Sequence, residues 1–256
     1  MSPWLILGIG AVGGYLVGAA SMARLVVRLF ARGRFRDGPT KLELEGTDKT
    51  MDLATVSASS VSVQLGSRLG FTTYVLDVLK ILVPTLVLKH TLPESHVYVA
   101  FAAGGMVGHV FPVFHGFKGG RGISAAYAGL LSISWVGFLV CSLGGMLFGL
   151  VVLRDVWSAY CAGVWAMIPW LWFTTGDPVL LGYAVFVNVI FMLGMIPETR
   201  QWFRIRRENK WNDTTEVMQL SGMGRGLLKM ARRFGLVKAP AAPAAPATDG
   251  EAERDP

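Results

Sequence analysis

The chain has 256 residues; 52% are hydrophobic and only 16% are charged, with a formal net charge of +7. Soluble domains carry about 25% charged residues, so this balance argues against a large soluble core and for a membrane protein. The basic excess suits either nucleic acid or anionic lipid, and nucleic acid is disfavoured because the Lys and Arg residues flank apolar runs rather than covering a polar face.

The first apolar run, Trp4 to Phe30, lacks a basic segment ahead of it and is followed by Arg32, Arg34 and Arg36, with Arg24 and Arg28 inside its end. It reads as a first transmembrane helix whose C-terminal end is cytoplasmic, not as a cleaved signal. Residues 31–70 are too polar to span. A second span is expected from Phe71 to Leu92, with Asp77 and Lys80 inside it, and a third from Val97 to Phe114. Asp77 and Lys80, three apart on one helix, read either as functional groups or as a mutual ion pair that locks the bundle.

From Ile123 to Leu153 there are 31 residues without a charge. One helix of that length would be about 46 Å long against a hydrocarbon core of about 30 Å. Two short spans turning near Ser132 to Trp135 put the 31–70 loop, Lys118, Arg121, Arg154 and the basic tail on one side, as the positive-inside rule requires. Spans at Val156–Thr175 and Val179–Met195 follow. The expectation is an all-α integral membrane protein with seven transmembrane helices, N-terminus out and C-terminus in. Residues 1–216 form the membrane domain in this reading. Residues 217–238 form a basic amphipathic tail helix suited to lipid head groups, or a solvated basic tail; 239–256 form a disordered Ala/Pro-rich tail. Cys141 and Cys161 sit in apolar runs without metal-ligand spacing and read as packing residues.

The loop after the third span reads "GHVFPVFHGFKGGRGIS", residues 108–124. Gly116, Gly119, Gly120 and Gly122 flank Lys118 and Arg121, and a helix start near Gly122 to Ser124 would aim its positive end at the same spot. Glycines let successive N–H groups face one anion, lysine adds a point charge, and arginine adds a fork for phosphate oxygens. The Gly-Lys-Ser/Thr order of a Walker loop is absent. Two readings fit: a phosphate site at the membrane surface, or a positive-inside turn. His109 and His115 are six apart and fall on different helix faces, so no metal site is expected.

The whole stretch resembles the second motif of the bacterial acyl-phosphate:glycerol-3-phosphate acyltransferases, the PlsY type: Gly108, His109, Phe111, Pro112, Phe114, Phe117, Lys118, Gly119, Gly120 and Gly122 match, and Arg121 replaces a lysine. Leu65, Gly66, Asp77 and Lys80 resemble the family's Leu-Gly and Leu-Asp-x-x-Lys pattern, and Arg207, Glu208 and Asn209 its third motif, where Arg206 replaces a histidine. The first motif departs. Ser57, Ala58, Ser59 and Ser60 stand where the family has Gly-Ala-Thr-Asn, Val63 occupies the arginine position, and Gly46 and Thr47 are the nearest stand-ins for Gly-Ser.

The resemblance implies acyl transfer from acyl-phosphate to glycerol 3-phosphate, giving lysophosphatidate and phosphate, in a bacterial inner membrane, without cofactor or metal. It implies catalytic roles for His109 and Lys118, although His109 also reads as a packing residue. Phosphate binding falls to Lys118, Gly119, Gly120, Arg121 and Gly122, and substrate binding to Ser57, Ser59, Arg207 and Asn209. The implied partners are membrane lipids and an enzyme that makes acyl-phosphate. Two alternatives stand beside it: a divergent paralogue with another acceptor, and a non-catalytic membrane protein that binds acyl-phosphate or lipid.

Overall fold

The computed structural model describes residues 2–31, 33–36, 40–43, 50–53, 56–153, 156–209 and Arg233. The expected tail helix and disordered tail, with Gly46, Thr47 and Arg154, lie outside these residues. Among the described residues, four helical stretches are long and apolar enough to cross a membrane: Pro3–Phe30, Ser67–Thr91, Val97–His115 and Pro178–Arg204.

The first stretch, one candidate span as expected for Trp4–Phe30, is broken at residues 20–21 into two helices, α1 (Pro3–Ala19) and α2 (Met22–Phe30). The break has a local cause. Ala20 is extended (φ −67°, ψ 114°), and the Ser21 hydroxyl caps the new helix by accepting from Arg24 N–H. The arginines of α2 explain its separate course: it buries Ala23 and Val26 but exposes Leu25, Arg28, Leu29 and Phe30, a pattern suited to a membrane surface. Strands β1 (Thr40–Glu43) and β2 (Thr50–Leu53) form an antiparallel ribbon, pairing Thr40 with Leu53 and Glu43 with Thr50. This ribbon is the one departure from an all-helical chain among the described residues. Gln64 on α3 (Ala58–Leu65) fastens it, donating to Thr40 Oγ1 at 2.7 Å and to the Arg36 carbonyl at 3.3 Å.

Helices α4 (Ser67–Thr91) and α5 (Val97–Val110) pack with α1 around small residues. Gly14 and Gly18 of α1 lie against the carbonyls of Phe101 and Gly105, while Gly104 and Gly108 of α5 lie against those of Ala11 and Tyr15. Side chains there would hold the helices apart, so the contact is backbone on backbone, the usual means of helix association in lipid.

Helix α6 (Ile123–Ile133) stops at Ser134, which then caps α7 (Trp135–Leu139) by accepting from Gly137 N–H at 2.9 Å. The uncharged run therefore breaks inside the interval that charge placement selects. Beyond α7 the chain stays helical through wide turns at Val140–Gly144 and Phe148–Val152, which flank α8 (Gly145–Leu147). Gly145 meets Gly163, and Gly149 meets Ala159, on α9 (Val156–Trp165). Helix α10 (Met167–Thr175) follows, then α11 (Pro178–Asn209). α11 runs on past Met195 and through Pro197, further than the hydrophobic run indicates.

The core lies between α4, α5, α6, α9 and α11, where Ile81, Met106, Leu130, Val164, Val187 and Phe191 are sealed. At 11 residues α6 is only about 16 Å long. Eight of its residues are buried, so protein, not lipid, surrounds its irregular ends, as the missing hydrogen bonds there require.

Candidate active site

Chain geometry around residues 108–124 is set by two left-handed residues, Gly116 (φ 62°) and Phe117 (φ 59°). They turn the loop back on α5. Gly119 N–H then donates to the Val110 carbonyl at 3.1 Å and Gly120 N–H to the His109 carbonyl at 2.9 Å. Tyr15 on α1 holds the other edge by donating to the Phe111 carbonyl at 3.0 Å.

The loop closes one side of a small open recess. Its polar lining comes from separate elements: Ser21 and Arg24 at the start of α2, Ser57 at the start of α3, Asp77 and Lys80 on α4, and His109 on α5. Gly119 and Gly120 form its floor. A Cβ on Gly120 would run into His109 Nε2, so glycine is what lets the imidazole face the loop.

Lys80 is fully engaged. Its ammonium lies 2.7 Å from Asp77 Oδ1, and donates to the carbonyls of Gly18 at 3.0 Å and Ala20 at 2.7 Å. Those carbonyls end α1 and have no helical partner, so Lys80 caps that helix while neutralising Asp77. The ion-pair reading of Asp77 and Lys80 is realised, and the pair also faces the recess. His109 Nδ1 lies 3.6 Å from Asp77 Oδ1.

The sequence-selected residues divide. Ser57, His109, Gly119 and Gly120 meet at the recess, but the two glycines do not offer amides to it, because both N–H groups are spent on α5 carbonyls. Gly122 caps α6 in the left-handed region (φ 90°) against Met106 and does not line the recess. Ser59 is half-buried off the lining. Lys118 is exposed on the loop, one residue before the lining glycines. Arg207 is exposed on α11, and the side chain of Asn209 lies outside the described residues.

Arg121 faces away. Its Nε lies 2.7 Å from Glu198 Oε2 and donates to Oε1 at 2.8 Å, and its guanidinium sits 5.5 Å over the Tyr160 ring. It ties the loop to α11 and α9. A fork for phosphate oxygens is already occupied by a carboxylate, so Arg121 works here as a brace. Glu198 was hidden from pattern reading because it lies beyond the last hydrophobic run; its one signal is a lone acid beside Pro197. Arg24 was hidden as one of a row of flanking arginines.

Comparison with known proteins agrees with this architecture. The family described as glycerol-3-phosphate acyltransferase matches residues 46–207. A glycerol-3-phosphate acyltransferase of Jannaschia sp. (strain CCS1) is 29% identical over 192 residues, covering 73% of this chain and 85% of the relative. One of Anaeromyxobacter sp. (strain K) is 33% identical over 129 residues, 48% of this chain and 57% of the relative. The crystal structure of PlsY (YgiH), an integral membrane glycerol 3-phosphate acyltransferase, in its glycerol 3-phosphate form superposes with a TM-score of 0.63 at 21% identity. That match covers 78% of this chain and 93% of the other, and establishes a shared fold. The family match takes in well over half of the chain and includes Ser57, Asp77, Lys80, His109 and the glycine loop: the chain belongs to the glycerol-3-phosphate acyltransferase family.

Proposed function

We propose that the protein transfers an acyl group from an acyl-phosphate to the 1-hydroxyl of glycerol 3-phosphate, releasing lysophosphatidate and inorganic phosphate. The observation that carries this reading is the convergence of Ser57, Lys80, His109 and the Gly119–Gly120 floor on one recess in a chain of this family. The hydroxyl oxygen bonds to the acyl carbonyl carbon, the carbon–oxygen bond to phosphate breaks, and phosphate leaves. The hydroxyl proton goes to His109 Nε2 or to a substrate phosphate. An acyl-phosphate is already activated, so the protein's work is orientation and charge stabilisation. Lys118 is exposed beside the floor, which supports a role for it with a phosphate arriving from outside the recess.

We infer seven passes, a reading that contacts between helix ends support. α1 and α4 meet at Lys80 and Gly18, α4 and α6 at Lys89 and Ser132, α5 and α11 near Val110 and Gly194, and the loops after α4 and α10 at His96 and Asp177. Alternating directions place the recess, Lys118, Arg121 and the end of α11 at one end of the bundle. The positive-inside rule makes that end cytoplasmic. The protein then resides in a bacterial inner membrane, taking its donor from an enzyme that makes acyl-phosphate. The membrane domain covers residues 1–216, with the basic segment 217–238 on the cytoplasmic lipid surface.

The serine-rich first motif favours a second reading, a paralogue with another polar acceptor, since Val63 replaces a cationic position. Purified protein in lipid mesophase with palmitoyl phosphate and glycerol 3-phosphate separates the two. Phosphate and lysophosphatidate released together are expected. Donor turnover with another polyol alone would establish the paralogue, and no turnover with either would leave a binding protein.

A further inference from the structure

The recess presents a charge problem. A phosphomonoester carries nearly two negative charges, yet Lys80 is saturated by Asp77 and two carbonyls, and Arg121 is saturated by Glu198. Among the described residues, one cation lines the recess with no ion pair or hydrogen bond on its side chain: Arg24.

Its position is unusual for a cation. Arg24 is the third residue of α2, where the helix dipole disfavours positive charge. The N–H groups of Met22 and Ala23 beside it have no described acceptor, because Ser21 caps only Arg24 and Leu25. Ser57 opens α3 across the recess, with the N–H groups of Ala58 and Ser59 equally open. The start of α2 with its free guanidinium borders this space, and Ser57 borders it from α3. An anion bound there would meet the positive end of α2 and the Arg24 guanidinium together. His109, nine-tenths buried, also looks into this space, and no described hydrogen bond uses its Nε2.

We propose that Arg24 binds the phosphate of the substrate, supplying from α2 the cation that Val63 does not supply from α3. The proposal rests on the reading of the recess as the phosphate-substrate site. Guanidinium and dianion form a forked, charge-assisted contact, and the start of α2 offers N–H groups to the remaining oxygens. Arg24 reaches the lining directly after the break between α1 and α2 at Ala20.

The test uses the full chain in lipid mesophase, with KM for glycerol 3-phosphate and for palmitoyl phosphate, and calorimetric binding of glycerol 3-phosphate in detergent. Arg24→Ala should weaken one of the two phosphates by about 10–100-fold, the range for losing one charge-assisted contact. kcat should change less than KM, and Arg24→Lys should recover part of the loss. Arg28→Ala, exposed on the same helix, should match the parent. A KM shift confined to glycerol 3-phosphate assigns Arg24 to the acceptor, and one confined to palmitoyl phosphate assigns it to the donor. Unchanged KM and binding for both in Arg24→Ala would overturn the proposal. If Ser57→Ala then still impairs binding, the recess stands without Arg24; if neither variant changes anything, the recess reading fails with it.

Discussion

Lys80 Nζ reaches Asp77 Oδ1 at 2.7 Å and the Ala20 carbonyl at the same distance, so one ammonium joins α4, the end of α1 and the wall of the recess. Both side chains of the pair are 7% exposed. Removing the amine leaves a buried carboxylate and two helix-end carbonyls without partners. Breaking such a buried pair from one side costs about 3–5 kcal/mol. Lys80→Met should therefore lower thermal stability in detergent sharply, and Asp77→Asn in the same chain should restore part of it. If Lys80→Met unfolds like the parent, the capping role is wrong.

Arg121 and Glu198 should behave as a brace. Each single alanine variant should lose stability, because each strands a charge beside Tyr160. The double variant should lose less than the sum, with a coupling of about 1–3 kcal/mol. Lys118→Ala gives the contrast. That residue is exposed, so the variant should keep the parent's unfolding temperature while losing most turnover. Full activity in Lys118→Ala would remove lysine from the phosphate step; additive Arg121 and Glu198 effects would remove the brace.

What the sequence revealed followed from how local each signal is. The turn at Ser134 was legible because 31 uncharged residues exceed one bilayer crossing and a break near it keeps the flanking cations on one side. The glycine loop was legible as a site because its composition is unlike its surroundings. Its internal wiring was not: whether Gly119 and Gly120 N–H groups face a ligand or the α5 carbonyls depends on the left-handed pair at Gly116 and Phe117, and phenylalanine gives no warning of a positive φ. The pairing of Arg121 was hidden for a related reason. Its partner, Glu198, is 77 positions away, beyond the last apolar run. The break between α1 and α2 was missed because hydrophobicity continues across it; the capping Ser21 was the available sign.

Topology makes a prediction that needs no substrate. Lys89 donates to the Ser132 carbonyl at 2.7 Å, and the proposed seven passes put this contact and the loop carrying His96 at the end opposite the recess. A thiol placed at Ser95 should be labelled by an impermeant maleimide in intact cells, and one placed at Arg207 only after the cells are opened. A reporter fused after Pro256 should be active in the cytoplasm. Labelling of both thiols from outside would break the seven-pass alternation.

Gly120 offers the narrowest test of the site's construction. Its Cα faces His109, and an added methyl would collide with Nε2 of the imidazole. His109 cannot retreat easily, because its Nδ1 side lies 3.6 Å from Asp77, itself held by Lys80. Gly120→Ala must therefore push the loop off α5 or turn the ring. Either change breaks the alignment of His109 with the floor while leaving the distant core untouched. Turnover should fall by about 100-fold, the scale for a displacement of roughly 1 Å at reacting groups, with secondary structure retained by circular dichroism. Gly144→Ala is the matched control: nothing lies within 4 Å of its would-be methyl, so activity should stay at the parent level. Equal activity of the two variants would show that the recess does not depend on the contact between Gly120 and His109.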